Sequence, residues 1–429
     1  MNNYVNHISP DSFSGVIFAL EGIKKSIILL NGPTGCKYYH SAISDSRTFK
    51  QTSFDPLAYT EQWYFGQPRV PCTYLDERDY VYGSEEKLIE ALTYFRDNVD
   101  FDLIAIVNSP GAALIGDDLI GICGKVMTSE KLITVQTPDY SKDIYTGYKI
   151  ATDIVIDQLC TKKLEKKKKT VNILGSCLFT KYFEGDIIEI KRLLSLCDIE
   201  VNCTLMTNCT TEEIEKISSA ELNIVLYPEY ALETAQKLKD KFGTEFYVPD
   251  TPIGFDASEK MIYDICEKLG ADSTKFTTEV KKARAKNYVC ISRLNSLTGL
   301  PTCASFGVEG SYSQAYGYSK FLIEYFGMLL YGVNIVDKNA DEFREKFEAL
   351  LAAHSRCDAM QNDELKQIEL VLANGNTISR LQVEKQKFVG IETSLPSLGY
   401  IDVVPKTHFG INGAMLLTEQ VLNGLVMNC

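Results

Sequence analysis

The amino-acid sequence predicts an α/β protein built from three Rossmann-like domains with mostly parallel sheets. Three observations lead there. Apolar runs of strand length alternate with longer segments of helical period along the chain, the pattern of sheets joined by helical crossovers. Several of the short runs are apolar on consecutive residues rather than alternating, as expected of strands covered on both faces. The chain has 429 residues, which corresponds to about three domains at roughly 150 residues each.

Taken in order, the strand candidates are 26–30, 103–107, 132–135, 171–174, 223–226, 305–308 and 388–391. Helical period marks 85–97, 185–196, 231–242, 315–326 and 341–353. Ser84 is placed to cap the first of these helices, and Glu85 and Glu86 suit its first turn, where the helix dipole favours negative charge. Two charged runs divide the chain. Residues 162–169 read as a solvated helix end and linker before a fresh strand at Val171, and 281–286 precede Tyr288. The expected domains are therefore 1–165, 166–283 and 284–429.

Composition narrows the function classes. Hydrophobic residues make up 45% and charged residues 24%, which is ordinary for a globular protein and excludes disordered and low-complexity classes. With 44 basic and 57 acidic residues the net charge is −13; a nucleic-acid binder needs a basic face, so none is expected as partner. No run of 18 apolar residues is present, so no membrane span is expected. Residues 1–10 are polar and lack a signal-peptide pattern, so a cytoplasmic protein is expected. The 13 cysteines are odd in number, and none pair as Cys-x-x-Cys. A disulfide scaffold is not expected, and the thiols read as core residues or as ligands of an iron-sulfur site.

Three segments concentrate the chemistry. In Asn31-Gly32-Pro33-Thr34-Gly35-Cys36 a buried strand ends in a tight turn that presents a cysteine at the carboxyl edge of the sheet, where open α/β sheets bind ligands. Near backbone N–H groups such a thiol is favoured as thiolate; the alternative is a plain turn with a buried thiol. A second strand runs into Asn108-Ser109-Pro110-Gly111 and on to Ile115-Gly116-Asp117-Asp118. The two acids there suit a helix N-terminus better than acid–base work. The third segment runs from Cys72 through Asp76-Glu77-Arg78-Asp79-Tyr80-Val81-Tyr82-Gly83 to Ser84, a turn leading into a helix.

The Gly-Pro-x-Gly-Cys turn, Asp79-x-Val81-Tyr82-Gly83 and Ile115-Gly116-Asp117-Asp118, in this order, resemble the nitrogenase component 1 family. That family comprises the nitrogenase molybdenum-iron protein subunits, their cofactor-assembly scaffold and the dark-operative protochlorophyllide reductase. The resemblance continues through Val171-Asn172-Ile173-Leu174-Gly175, residues 221–226, Pro252-Ile253-Gly254 and His408-Phe409-Gly410-Ile411-Asn412-Gly413-Ala414, and is greatest to the β-type subunit. It implies three Rossmann-like domains per subunit and an iron-sulfur cluster, four-iron four-sulfur or larger, shared with a partner subunit. Cys36 matches the cysteine of the turn. The other two ligand positions fall on Asp11, ahead of Gly15, and on or beside Ser109; neither is cysteine. An aspartate ligand occurs in the protochlorophyllide enzyme, and Cys72 is placed to make good part of the deficit, since such clusters favour thiolate.

The resemblance further implies an ATP-dependent iron protein as electron donor, docking near Tyr82 and residues 76–79, and a homologous component 1-like subunit, or a second copy of this chain, as partner. Two alternatives stand beside a nitrogenase-like iron-sulfur reductase: a non-catalytic scaffold for metal-cofactor assembly, and a cluster-free α/β binding protein. No Gly-x-x-x-x-Gly-Lys-Ser/Thr loop is present, so the chain is not expected to hydrolyse ATP by such a loop. Cys123 reads as packed core, and Cys177 as core or the lining of a cleft. Of His7, His40, His354 and His408, the last reads as a capping or interface group.

Overall fold

The computed structural model describes residues 10–37, 70–129, 132–136, 142–337, 341–395 and 402–428; His7 and His40 lie outside them. The described chain is α/β with three sheets. The first has the order β1-β2-β3, with β1 Ser26–Asn31, β2 Leu103–Asn108 and β3 Leu132–Val135. The second has the order β5-β4-β6-β7, from β4 Lys167–Leu174, β5 Glu200–Thr204, β6 Ala220–Val225 and β7 Glu245–Tyr247. The third has the order β11-β10-β8-β9, from β8 Ser305–Ser311, β9 Leu329–Asp337, β10 Leu370–Asn374 and β11 Val389–Ser394. The pairings β1–β2, β2–β3, β4–β6, β6–β7, β8–β9, β8–β10 and β10–β11 are all parallel. Each central strand is followed by a helix that returns the chain, and the consecutive apolar residues of β2 are all buried, as two-sided burial requires.

The chain divides into two compact units, one holding the segments up to Glu165 and Cys203–Ser218, the other Lys166–Asn202 and the residues from Ser219 on. In the first unit, one layer over the sheet is a core of Leu29, Ile104, Ile106, Leu88, Leu92, Leu119, Ile122 and Cys123. Helix Ser12–Glu21, capped by Asp11, is buried along its whole length. It crosses helix Ile144–Leu159 in backbone contact: a Cβ on Gly147 would lie 1.7 Å from the Ser12 carbonyl oxygen, and one on Gly15 would lie 2.1 Å from that of Ile144. Only glycine permits that approach.

The two charged runs behave differently: residues 160–166 join helix Ile144–Leu159 to β4 without regular structure, and the compact units divide between Glu165 and Lys166. Strand β4 already begins at Lys167, so part of 162–169 is the projecting end of a strand whose lysines reach water. Helix Thr274–Thr298 runs unbroken through the expected boundary at 283/284, with Lys281, Lys282 and Lys286 on its exposed side. Among the described residues no helix is long and apolar enough to cross a membrane.

Candidate functional site

In the first unit, β1 and β2 end side by side, with Asn31 paired to Asn108 in register. Both asparagines are buried, and the Asn31 amide donates to Asn108 Oδ1 at 2.9 Å. Beyond Asn31 the chain turns through Gly32 and Pro33 into a short 3-10 helix, Thr34–Lys37, which carries Cys36 half-buried. The Cys36 N–H donates to the Pro33 carbonyl at 3.2 Å, closing the turn. Residues 71–73 run beside the end of β1: Leu30 N–H donates to Pro71 O (2.9 Å), Thr73 N–H donates to Leu30 O (3.0 Å), and Cys72 forms a parallel bridge with Leu30. Cys72 is thus buried against the strand whose continuation carries Cys36.

The structure treats the four expected ligand residues differently. Cys36 and Cys72 are both placed at the carboxyl end of β1. Ser109 joins them there, since its Oγ lies only 2.6 Å from where a Gly32 Cβ would be; it caps the short helix Pro110–Ala113 by accepting the Ala112 N–H at 3.2 Å. Asp11 lies at the head of another element. Its Oδ1 accepts from the Ser14 N–H at 2.9 Å and the Ser14 hydroxyl at 2.7 Å, and its backbone bridges to Asp143. Among the described residues no three His, Cys, Asp or Glu side chains are gathered in a metal-binding arrangement.

The segment after Cys72 forms helix Glu77–Tyr82, in which no residue is buried. Asp76 and Asp79 form a reciprocal capping box, and Lys87 binds Asp79 at 2.6 Å, Asp76 at 3.2 Å and the Tyr74 carbonyl at 2.8 Å. Asp79 is therefore spent on local structure, and the exposed acids of this corner are Asp76, Glu77, Glu85 and Glu86. Tyr82 does not pack beneath the next helix: it is 83% exposed, and Val81 and Leu114 stand open as well. Ser84 occupies the N-cap position of helix Glu85–Asn98 without capping it. Its hydroxyl binds Asp117 instead, while Asp118 caps helix Leu119–Cys123. Neither the Asn31–Asn108 pair nor the Ser84–Asp117 pair was read from sequence. Asparagines at the same terminal position of two apolar strands were the available signal.

The second unit holds a buried polar cluster. Asp186, in the first turn of helix Phe183–Ser195, accepts from the Thr407 hydroxyl at 2.7 Å and the His408 N–H at 3.2 Å. Burial still pushes its carboxyl up to about 7. His408 Nδ1 meets the Tyr318 hydroxyl and Nε2 meets Gln420 Oε1, both at 2.8 Å, with the Tyr182 ring edge-on at 4.7 Å. Gln420 Oε1 is an acceptor, so Nε2 carries the proton and Nδ1 accepts from Tyr318. Burial lowers the imidazole to about 4, keeping it neutral. With both nitrogens engaged, His408 is an internal joint. Burial likewise pushes the Cys177 thiol up to about 12 and the Cys123 thiol up to about 11, so both are core thiols. None of the described cysteines forms a disulfide.

Asp186 and His408 oppose one another in pH. The raised folded pKa of Asp186 contributes stability below its unfolded value of roughly 3.9, lost as pH rises through 7; the lowered folded pKa of His408 contributes stability above roughly 6.5, lost as pH falls through 4. The two slopes offset between pH 4 and 7. Asp186→Asn keeps an acceptor and removes one slope. The melting temperature of that variant is expected to fall more steeply than that of wild type from pH 6.5 to 4, and parallel curves would contradict the assignment.

A family description, nitrogenase component 1 type oxidoreductase, matches residues 12–425. The chain belongs to this family. As a component 1 type chain it is 23% identical over 460 aligned positions to the nitrogenase molybdenum-iron protein beta chain of Methanococcus maripaludis, covering 96% of this chain and 92% of that one. It is 24% identical to a light-independent protochlorophyllide reductase subunit of Heliobacterium modesticaldum, over 82% of this chain and only 64% of that protein's length. It is also 24% identical to the cofactor biosynthesis protein NifE of Clostridium pasteurianum, over 63% of this chain and 55% of that protein. A solved structure titled nitrogenase Cp1 at pH 6.5 shares the fold, with a TM-score of 0.78 and 18% identity over 98% of this chain and 93% of that one. Iron-sulfur and metal binding are expected of component 1 type chains. The described residues at the end of β1 include two thiols, Cys36 and Cys72, a donor type that suits such a group, where a cubane takes four ligands.

Proposed function

We propose that the protein is a subunit of a nitrogenase-like iron-sulfur reductase that receives electrons from an ATP-dependent iron protein through a cluster at a subunit interface. The observation that carries this is the placement of Cys36 and Cys72 together at the carboxyl end of β1, beside the open surface around Tyr82. Cys36 and Cys72 would hold the cluster from this side, and a homologous component 1-like subunit or a second copy of the chain would complete the set; Asp11 and Ser109 are the remaining oxygen donors of the chain. A bound cluster would supply one-electron chemistry there. The chain's own residues present the Cys36 thiol on a turn closed by the Cys36 N–H to Pro33 bond, shield Cys72 from water and hold it to β1 through the backbone bonds of 71–73.

The donor is proposed to dock on helix Glu77–Tyr82. Because Asp79 belongs to the capping box, the informative changes are at exposed positions. Tyr82→Ala and Glu77→Lys are expected to slow donor-dependent reduction, the latter more at low salt than at high salt, since charge steers encounter. Stopped-flow reduction by the iron protein checks this, and unchanged rates in both variants would count against the docking face. Similarity to NifE favours a second reading, a scaffold on which a metal cofactor is assembled. Release of a bound cofactor to another protein, without turnover, would select it.

A further inference from the structure

Beneath the open helix lies a continuous chain of hydrogen bonds, buried from Gly32 to Ser84 and half-buried at Asp117. Asn31, wholly buried, immediately precedes the turn that carries Cys36. Its Nδ2 donates to Ser84 Oγ at 3.0 Å and its Oδ1 accepts from Thr73 Oγ1 at 2.9 Å. Thr73 Oγ1 in turn accepts from the Gly32 N–H at 3.0 Å, inside the turn. On the other side Ser84, also wholly buried, donates its N–H at 2.7 Å and its hydroxyl at 2.6 Å to a single oxygen of Asp117. Gly83 joins Tyr82 to Ser84 with φ at +101°, and a Cβ there would approach Asp117 to 3.1 Å. Asp117, Ser84, Asn31, Thr73 and Gly32 thus link the base of the Glu77–Tyr82 helix to the Cys36 turn.

We infer that Asn31, Ser84 and Asp117 are positioning residues that hold the Cys36 turn and the Glu77–Tyr82 helix as one rigid piece, so that a partner seated on Tyr82 meets Cys36 at a fixed spacing. This rests on the proposed roles of Tyr82 and Cys36, but the rigidity itself needs neither. Asn31, Thr73 and Ser84 are buried and Asp117 is half-buried above them, so losing Asp117 leaves both Ser84 donors without the acceptor that holds them. Asp117 is the member to remove, because it serves two donors of Ser84 and touches neither cysteine in any bond described above.

The test uses the full chain, purified without oxygen and treated with an iron chelator. In Asp117→Ala, alkylation of Cys36 by iodoacetamide, followed on its peptide by mass spectrometry, is expected to be on the order of fivefold faster than in wild type. Hydrogen exchange over 32–37 should speed up in parallel. Asp117→Asn, which restores an oxygen acceptor, should return most of the protection. Asp118→Ala, in the same loop but capping helix Leu119–Cys123, should leave both rates at the wild-type value. Ser84→Ala makes the same comparison if Asp117→Ala does not fold. Wild-type rates in Asp117→Ala or Ser84→Ala, or an equal rise in Asp118→Ala, overturn the inference. Iron-free wild-type protein would end the electron-transfer reading and leave these rates as stated, so the two failures are separable.

Discussion

Cys36→Ala is expected to lose its iron and its visible cluster absorption while remaining folded. The thiol is half-buried on a short turn outside the main core, so replacing it with another small residue costs the fold on the order of 1 kcal/mol. As a cluster ligand it has no substitute within the turn, and thiolate is the donor iron-sulfur clusters favour. Iron and acid-labile sulfide determined on the anaerobic variant, beside wild type and Cys72→Ala, decide the matter. Undiminished iron in Cys36→Ala would remove Cys36 from the ligand set. Retention in Cys72→Ala alone would return Cys72 to the core and leave Asp11, Ser109 or the partner to supply the remaining donors.

Lys181→Met should be the most damaging removal of a single charge. The Lys181 ammonium lies 2.6 Å from Glu392 and 2.8 Å from Asp402, and the side chains of Lys181 and Glu392 are each only 2% exposed. Removing the cation leaves a buried carboxylate without its partner, a loss of about 3–5 kcal/mol. Urea denaturation measures it. Replacing Glu392 with Leu in the same protein should recover part of the loss, because two apolar groups of similar shape leave no unpaired charge. A single-variant loss below about 1 kcal/mol would show that the pair is hydrated and not the buried joint described here.

The fold was largely legible because parallel strands covered on both faces announce themselves as consecutive apolar residues. All seven strands expected from such runs are present. The missed ones have identifiable causes. Glu200–Thr204 is short and polar, Glu245–Tyr247 has only three residues, and Leu329–Asp337 is interrupted by Gly332 and Asn334. Leu370–Asn374 carries the same apolar pattern as the expected strands. The charged run at 281–286 differs from its reading because a lysine-rich stretch looks alike on a linker and on a solvated helix face, and the run at 162–169 ends in the exposed start of β4.

At the candidate site, the sequence identified Cys36 and the loop carrying Cys72 but not what holds them. Asn31 and Asn108 come together across two strands far apart in sequence, and Ser84 finds Asp117 in another loop. Such pairings depend on register and tertiary placement, which residue types alone do not encode. The same applies to His408. Its expected role as a capping or interface group followed from position near a helix start, whereas its place as a buried internal joint, and its neutral state, follow from burial among Tyr182, Tyr318 and Gln420.

The central claim is that this chain supplies half of a ligand set completed by a homologous subunit or a second copy. Native mass spectrometry of the anaerobically isolated protein tests it most directly. The account predicts iron and sulfide only on an assembly of two or more component 1 type subunits, with the dissociated single chain free of cluster. A single chain carrying a complete cluster, or an assembly of such subunits without iron, would contradict it.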